Sequence, residues 1–227
     1  MIIYGKQLFL HILKNYPTKL KTIYLAKECD KKLFSQIANL KKPIVRVDAK
    51  KAQSLAKGGN HQSFIAEIEP IEFSTLNELK KGSFLVMLYG LTDVGNIGAI
   101  CRSAYVFGAD GLIISGVKQI NLEGILRTSS AAAFELPILL APDGLGTINE
   151  LKHSDFKIYG AAMNGKDVRE VDFNNKKVLV MGNEGEGIPS KALQRCDETI
   201  SIKMSRAFDS LNVSAATAVL CDRIING

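Results

Sequence analysis

Cysteine is scarce and scattered. Its four positions, Cys29, Cys101, Cys196 and Cys221, form no CxxC pair. That argues against a zinc site or a disulfide framework and makes a reducing cytoplasm the expected compartment. Long apolar runs are missing too. The longest unbroken one, Phe84 to Tyr89, falls far short of the ~20 residues of a membrane-spanning helix, so no membrane partner is expected. The opening Met1-Ile-Ile-Tyr-Gly-Lys6 lacks the basic n-region and small-residue cleavage site of a secretory signal, and none is expected. There is no internal repeat and no low-complexity segment. With 46% hydrophobic and 23% charged residues, the composition excludes wholesale disorder.

What is present is an uneven charge distribution. The 227 residues carry a net charge of +6. Residues 1–75 hold thirteen Lys/Arg against six Asp/Glu, a net of +7; residues 76–227 hold sixteen against seventeen, a net of −1. Charge alone leaves two readings open, a solvated basic surface or a footprint for a polyanion such as nucleic acid.

Periodicity predicts an α/β protein in two parts. In the first, helices are expected over Lys6–Asn15, Lys31–Leu40 and Lys50–Lys57, with strands at Thr22–Leu25, Ile44–Val47 and Phe64–Ile68. In the last strand Phe64, Ala66 and Ile68 should share one face, with Ile65 and Glu67 on the other. A polar helix over Thr75–Lys81 marks the connection, and the boundary is placed at residue 75, giving domains of 1–75 and 76–227. The second part carries unalternating apolar strands at Phe84–Tyr89, Leu112–Ile114, Ile138–Leu140, Ile158–Ala162 and Val178–Met181, the pattern of a parallel sheet covered on both faces. Helices are expected over Ile97–Phe107, Ile148–His153 and Leu211–Ile225.

Three stretches follow strands, where ligands of open parallel sheets sit. In Leu91-Thr-Asp-Val-Gly-Asn-Ile-Gly-Ala-Ile-Cys-Arg102, Asn96 can cap a helix and Arg102 can meet a phosphate near that helix end. In Val178-Leu-Val-Met-Gly-Asn-Glu-Gly-Glu-Gly-Ile-Pro189, three glycines let backbone approach a ligand. Their spacing is neither GxGxxG nor GxxxxGK followed by Ser or Thr, which disfavours a nucleotide-dependent oxidoreductase. In Ile200-Ser-Ile-Lys-Met-Ser-Arg-Ala-Phe-Asp-Ser-Leu-Asn-Val-Ser214, Ser210 or Asn212 can open the final helix. Taken singly, each stretch is equally a turn or a capped helix.

In this order and spacing the three stretches resemble the SpoU-type RNA 2′-O-ribose methyltransferases of the SPOUT class. The resemblance rests on Asn96-Ile-Gly-Ala-Ile-Cys-Arg102, Met181-Gly-Asn-Glu-Gly-Glu-Gly-Ile188, and Ile202-Lys-Met204 with Ser210-Leu-Asn-Val-Ser214. Asn60-His61-Gln62 before a strand also resembles the substrate-binding domain of the bacterial rRNA subgroup. The resemblance implies a C-terminal α/β domain with a deep trefoil knot around a mostly parallel sheet. It also implies a small N-terminal α/β domain, like ribosomal protein L30e, that binds RNA.

The implied cofactor is S-adenosylmethionine (SAM), at Ala161, Ala162, Gly182, Asn183, Gly185, Gly187, Ile202, Met204 and Leu211, with no metal. Arg102 is implied to be catalytic, holding the RNA phosphate that orients the ribose hydroxyl or taking its proton. A guanidinium is almost always protonated, which favours the phosphate role. Asn96, Glu184, Ser210 and Asn212 are expected to position Arg102, the ribose and the loops. Asn60, His61, Gln62, Lys19, Lys21, Lys31 and Lys32 are the candidate RNA contacts. The implied assembly is a homodimer with its active site at the interface, and rRNA is favoured over tRNA as substrate. A non-catalytic RNA-binding protein of the same fold is the competing reading. Two departures stand out: Lys203, where the family usually has Pro, and Thr128-Ser-Ser-Ala-Ala-Ala-Phe134, a small-residue stretch that in the family often includes Gly.

Overall fold

A computed structural model describes residues 1–206 and 210–227. Residues 207–209, in the third polar stretch, lie outside the described residues.

The basic third builds a four-stranded sheet from β1 (Ile2–Tyr4), β2 (Leu20–Leu25), β3 (Ile44–Arg46) and β4 (Phe64–Ile68), ordered β1-β4-β2-β3. Strand β4 is antiparallel to β1 and β2, and β2 is parallel to β3. Helices α1 (Lys6–Asn15), α2 (Lys31–Asn39) and α3 (Ala49–Leu55) connect the strands. Leu8, Phe9 and Ile12 give α1 its buried stripe. Asp30 and Asp48 cap α2 and α3 by accepting from the backbone N–H of Leu33 and Lys51. Ile65 is buried like Phe64, Ala66 and Ile68. Phe64, Ala66 and Ile68 join the main core and Ile65 does not, which keeps the expected division of faces, and at Ile65 the second face of β4 is covered as well. Strand β1 went unpredicted because three residues are too few to show a period.

Thr75 and Glu78 form a reciprocal capping box at α4 (Leu76–Leu79). Six strands follow: β5 (Phe84–Tyr89), β6 (Gly111–Ser115), β7 (Ile138–Ala141), β8 (Lys157–Asp167), β9 (Lys177–Met181) and β10 (Glu198–Ser201). Every pairing among them is parallel, in the order β10-β8-β9-β5-β6-β7. Helices α5 (Val94–Val106), α6 (Leu122–Thr128), α7 (Ala132–Glu135), α8 (Gly144–Lys152), α9 (Ser190–Leu193) and α10 (Val213–Asn226) complete the chain. The solid apolar runs serve two cores. In β5, Phe84, Val86 and Leu88 join one, while Leu85 and Met87 join the other with Ile148 and Leu151. From β5 the chain first winds one way through β6 and β7. It then returns on the other side through β8, β9 and β10, so the winding reverses between β5 and β9.

Several boundaries move from their expected places. Helix α5 begins at Val94 with Asp93 as its cap, because the Asp93 carboxylate accepts the Asn96 N–H at 2.7 Å; Asn96 is inside the helix. Asn212, not Ser210, caps α10, accepting the Ser214 and Ala215 N–H groups. Helix α8 starts at Gly144, four residues earlier than its apolar spacing suggests. Strand β8 runs past Ala162 to Asp167 because β10 pairs along its length, with a register shift between Thr199 and Ile200. In the softened small-residue stretch, Ala131 is fully buried at φ 75°, a left-handed conformation that glycine adopts without cost.

The two sheets are tied by side chains. The Tyr16 hydroxyl donates to Glu135 at 2.7 Å and its ring stacks on Phe134 at 5.3 Å. His11 Nε2 lies 3.0 Å from the same carboxylate, and Lys57 pairs with Glu123 at 2.9 Å. Among the described residues no helix is long and apolar enough to cross a membrane.

Candidate active site

The reversal between β5 and β9 is the topological switch point of the sheet, where open α/β proteins form a crevice. The loop after β5 leads into α5, the glycine loop follows β9, and α10 packs against α5. Three side chains from these elements meet there. The Asn96 Nδ2 donates to Glu184 Oε1 at 3.1 Å. The Asn212 Nδ2 donates to the same oxygen at 2.9 Å and to Asn96 Oδ1 at 3.1 Å. Both amides therefore donate to one oxygen of Glu184, whose second oxygen has no partner among the described residues. The Asn212 Oδ1 meanwhile holds the first turn of α10.

Beside this cluster lies a cavity of about 1040 Å³ between the carboxyl ends of β8, β9 and β10. Its lining includes every residue expected to hold a cofactor: Ala161, Ala162, Gly182, Asn183, Gly185, Gly187, Ile202, Met204 and Leu211. Glu184 and Ser210 line it as well. Asn96, Asn212 and Arg102 do not. The extension of β8 adds Met163, Asn164, Gly165 and Asp167. Sequence reasoning missed these because the polar Asn164-Gly165 pair reads as a loop. Asn183 shapes the wall: its Oδ1 accepts from the N–H groups of Gly185 and Glu186 at 3.0 and 2.7 Å, and its carbonyl from Gly187. Gly182 is required by close approach, since a Cβ there would overlap the backbone of Gly187 and Ile188.

SAM matches this donor set. Apolar walls from Ile188, Leu193 and Leu220 suit an adenine, and exposed glycine backbone can bond its edge. The carboxylates of Asp167, Glu184 and Glu186 suit a cationic ligand. Arg169, donating to Asp167 at 2.6 Å, holds that carboxyl down to about pKa 2, so it is ionised at neutral pH. Lys203 lines the cavity where the family usually has Pro, and its charge acts on Asp167 in the same direction.

Arg102 lies six residues beyond Asn96 on α5, exposed and without a hydrogen bond or ion pair among the described residues. The structure does not bring it to the cavity within one chain. The two helices that pack together here, α5 and α10, also carry exposed apolar groups: Tyr105 and Val106 on α5, the latter 69% exposed, and Val219 and Ile225 on α10. Burial pushes the neighbouring Cys101 thiol up to about 12, so it is protonated at neutral pH.

In the basic third, Lys21, Lys31 and Lys32 are exposed, and Lys19 lies 3.6 Å from Glu69. Lys31 and Lys32 open α2, where a cation opposes the helix dipole. The His61 Nδ1 accepts the Ser63 N–H at 3.0 Å, and Gln62 Oε1 accepts the Lys6 N–H at 3.1 Å. Asn60 is exposed. Among the described residues no three His, Cys, Asp or Glu side chains are grouped to hold a metal.

Two family descriptions match this chain: the SpoU rRNA Methylase family over residues 83–222, and RNA 2′-O ribose methyltransferase substrate binding over residues 2–74. The 23S rRNA (guanosine-2′-O-)-methyltransferase RlmB of Haemophilus ducreyi is 31% identical over 98% of this chain and 96% of its own length. Among solved structures, the rRNA methyltransferase from Sinorhizobium meliloti superposes with a TM-score of 0.81 at 24% identity, over 98% of this chain and 85% of that one. The SpoU methyltransferase AviRb from Streptomyces viridochromogenes, in complex with the cofactor AdoMet, superposes with a TM-score of 0.80 at 21% identity, over 99% and 89%. These structures share the fold.

Proposed function

The chain belongs to the SpoU rRNA Methylase family, and on that premise we propose that it transfers the methyl group of SAM to a ribose 2′-hydroxyl of RNA, with a guanosine of 23S rRNA as the target. The observation that carries this reading is the Asn96–Glu184–Asn212 cluster at the mouth of the cavity. When bound, SAM supplies an electrophilic methyl on a sulfonium, so no metal is needed for leaving-group chemistry.

The chain's own residues must hold the ribose hydroxyl in line and ease the loss of its proton. The free oxygen of Glu184 accepts a hydrogen bond from the ribose. Asn96 and Asn212 fix that carboxylate so that it does not reorganise during transfer. Ser210, at the cavity wall, contacts the ribose or the loop beside it. Arg102 holds the adjacent phosphate and orients the hydroxyl. Because Arg102 does not line its own chain's cavity, it serves a second copy. The proposed assembly is a homodimer joined through the exposed apolar residues of α5 and α10, with an active site completed by both subunits.

Residues 1–75 take up the L30e-like role of binding the RNA through Lys19, Lys21, Lys31 and Lys32 and the Asn60-His61-Gln62 loop. Residues 76–227 hold SAM and carry the trefoil knot. The excess charge of +7 in the first 75 residues supports this division, and a cytoplasmic location follows from an rRNA substrate. The deciding experiment incubates the protein with labelled SAM and unmodified 23S rRNA. A 2′-O-methyl group at one nucleotide is expected; no such product on rRNA or tRNA would leave only a non-catalytic RNA-binding role.

A further inference from the structure

Phe34 stands on the outer side of α2, 38% exposed, while Leu33 and Ile37 of the same helix are buried. The Arg46 guanidinium, at the end of β3, lies over the Phe34 ring, 5.6 Å from its centroid. That guanidinium is tethered, because its Nη1 donates to the Lys27 carbonyl at 3.2 Å. Lys31 lies three residues before Phe34 and therefore on the same side of the helix. From Lys27 to Arg46 the sequence carries six Lys/Arg against two Asp/Glu. None of the six is in an ion pair among the described residues. Of the two carboxylates, Asp30 is spent on the cap of α2.

These groups do little for the fold. The ring leaves apolar surface in water, and Lys31 and Lys32 oppose the dipole of the helix they open. One kind of ligand satisfies both: a flat apolar face carried on an anionic backbone. An unpaired nucleobase stacks on an aromatic ring or a guanidinium plane whatever its identity, and its flanking phosphates neutralise the lysines. A regular RNA duplex does not fit, because its bases are already stacked on one another. A second copy meeting the patch through the same face would set cations against cations. The place in the fold also matters. In the order β1-β4-β2-β3, strand β3 is one edge of the sheet. The other edge, β1, meets the methyltransferase part, where Arg127 lies over the Tyr4 ring at 5.3 Å and α6 packs on β1. The Phe34 patch is therefore on the edge away from that seam.

We propose that Phe34 and Arg46 form a stacking platform for an unpaired base of the substrate RNA, at a point remote from the nucleotide being methylated; that the RNA is a substrate rests on the methyltransferase reading. The base lies against the Phe34 ring and the Arg46 guanidinium, and Lys27 and Lys31 hold the phosphates on either side. The platform selects RNA with a single-stranded segment at a fixed distance from the target. It contributes affinity that does not depend on salt, beside the salt-dependent part that the lysines provide.

The test uses the full chain and an unmodified 23S rRNA transcript in filter binding across a salt series. Phe34→Ala should bind about tenfold more weakly with the slope of log K against log salt unchanged, and KM for the transcript should rise by the same factor. Phe34→Trp, which keeps a stacking surface, should bind as wild type does. Arg46→Gln should weaken binding and flatten the slope by about 0.7, the value of one single-strand phosphate contact. Calorimetry with SAM on each variant verifies that the fold is intact. Wild-type affinity in Phe34→Ala, a loss in Phe34→Trp equal to that in Phe34→Ala, or a fall in kcat at unchanged KM overturns the platform. So does a Phe34→Ala protein that binds RNA normally but sediments as a smaller species, which would give the patch to a second copy. A wild-type protein that binds the transcript through Phe34 and yields no 2′-O-methyl product overturns the methyltransferase reading and leaves the platform standing.

Discussion

Asn212 and Glu184 are 28 residues apart in the chain, and their side chains meet at 2.9 Å. The same asparagine uses its oxygen to cap α10 and its amide to hold the carboxylate. One residue thus couples the start of the last helix to the glycine loop and to Asn96.

That double duty can be separated. Asn212→Asp keeps an acceptor for the Ser214 and Ala215 N–H groups, so α10 should remain capped. It removes both Nδ2 bonds and sets a second carboxylate against Glu184, so methyl transfer should fall by about 100-fold or more. Asn212→Ala should lose the activity and also about 1 kcal/mol of stability. Thermal melts beside transfer rates distinguish the two; an active Asn212→Asp would show that the amide has no part in the site.

Arg102→Ala should abolish transfer while calorimetry still records SAM binding, because Arg102 does not line the cavity. Co-expressing Arg102→Ala with Glu184→Ala should restore part of the activity, since a mixed dimer contains one site with both groups intact. If neither the mixture nor a dilution series shows dependence on a second copy, Arg102 acts within its own chain.

Tyr16 links the sheets through Glu135, whose acceptance of the phenol hydrogen raises the Tyr16 pKa from 10.0 to about 12. A raised pKa means the neutral phenol is the stabilised form. The contribution is complete below pH 10 and disappears as pH climbs through 12. In urea titrations Tyr16→Phe should be less stable than wild type by about 1 kcal/mol at pH 8, with the gap closing above pH 11. No gap at pH 8 would mean that the ring's packing on Phe134, which Tyr16→Phe keeps, and not the hydrogen bond, ties the parts together.

Replacing Lys19, Lys21, Lys31 and Lys32 together by Gln should weaken RNA binding and flatten its salt dependence. The slope of log K against log salt should fall by up to ~3 for four lost phosphate contacts. Lys19 already lies 3.6 Å from Glu69, so it should contribute least. Unchanged slopes in filter binding would place the RNA surface elsewhere.

Part of the architecture was legible because local composition dictates it. The unbroken apolar run Phe84–Tyr89 became β5 to the residue, since a central strand covered on both faces needs apolar side chains on both. Short elements were not legible. Strand β1, with three residues, and α7 and α9, with four each, show no period and exist because neighbours pair with or pack on them. The capping error at α5 has a chemical cause: Asp93 and Asn96 are both good caps, and only the turn taken by the chain after β5 decides which meets the first free N–H groups.

For the site, the sequence alone determined residue chemistry: the glycines at 182, 185 and 187 that permit close backbone approach, the amides and carboxylate at 96, 184 and 212, and a basic first third. Tertiary structure decided which of them meet. Reversal of winding between β5 and β9 joins Asn96 to Glu184, and the packing of α10 on α5 brings in Asn212. It also left Arg102 outside the cavity, although it stands only six residues from Asn96. The reason is geometric: at 100° per residue, six residues along a helix turn a side chain to a different face, and what that face meets depends on elements far away in the chain.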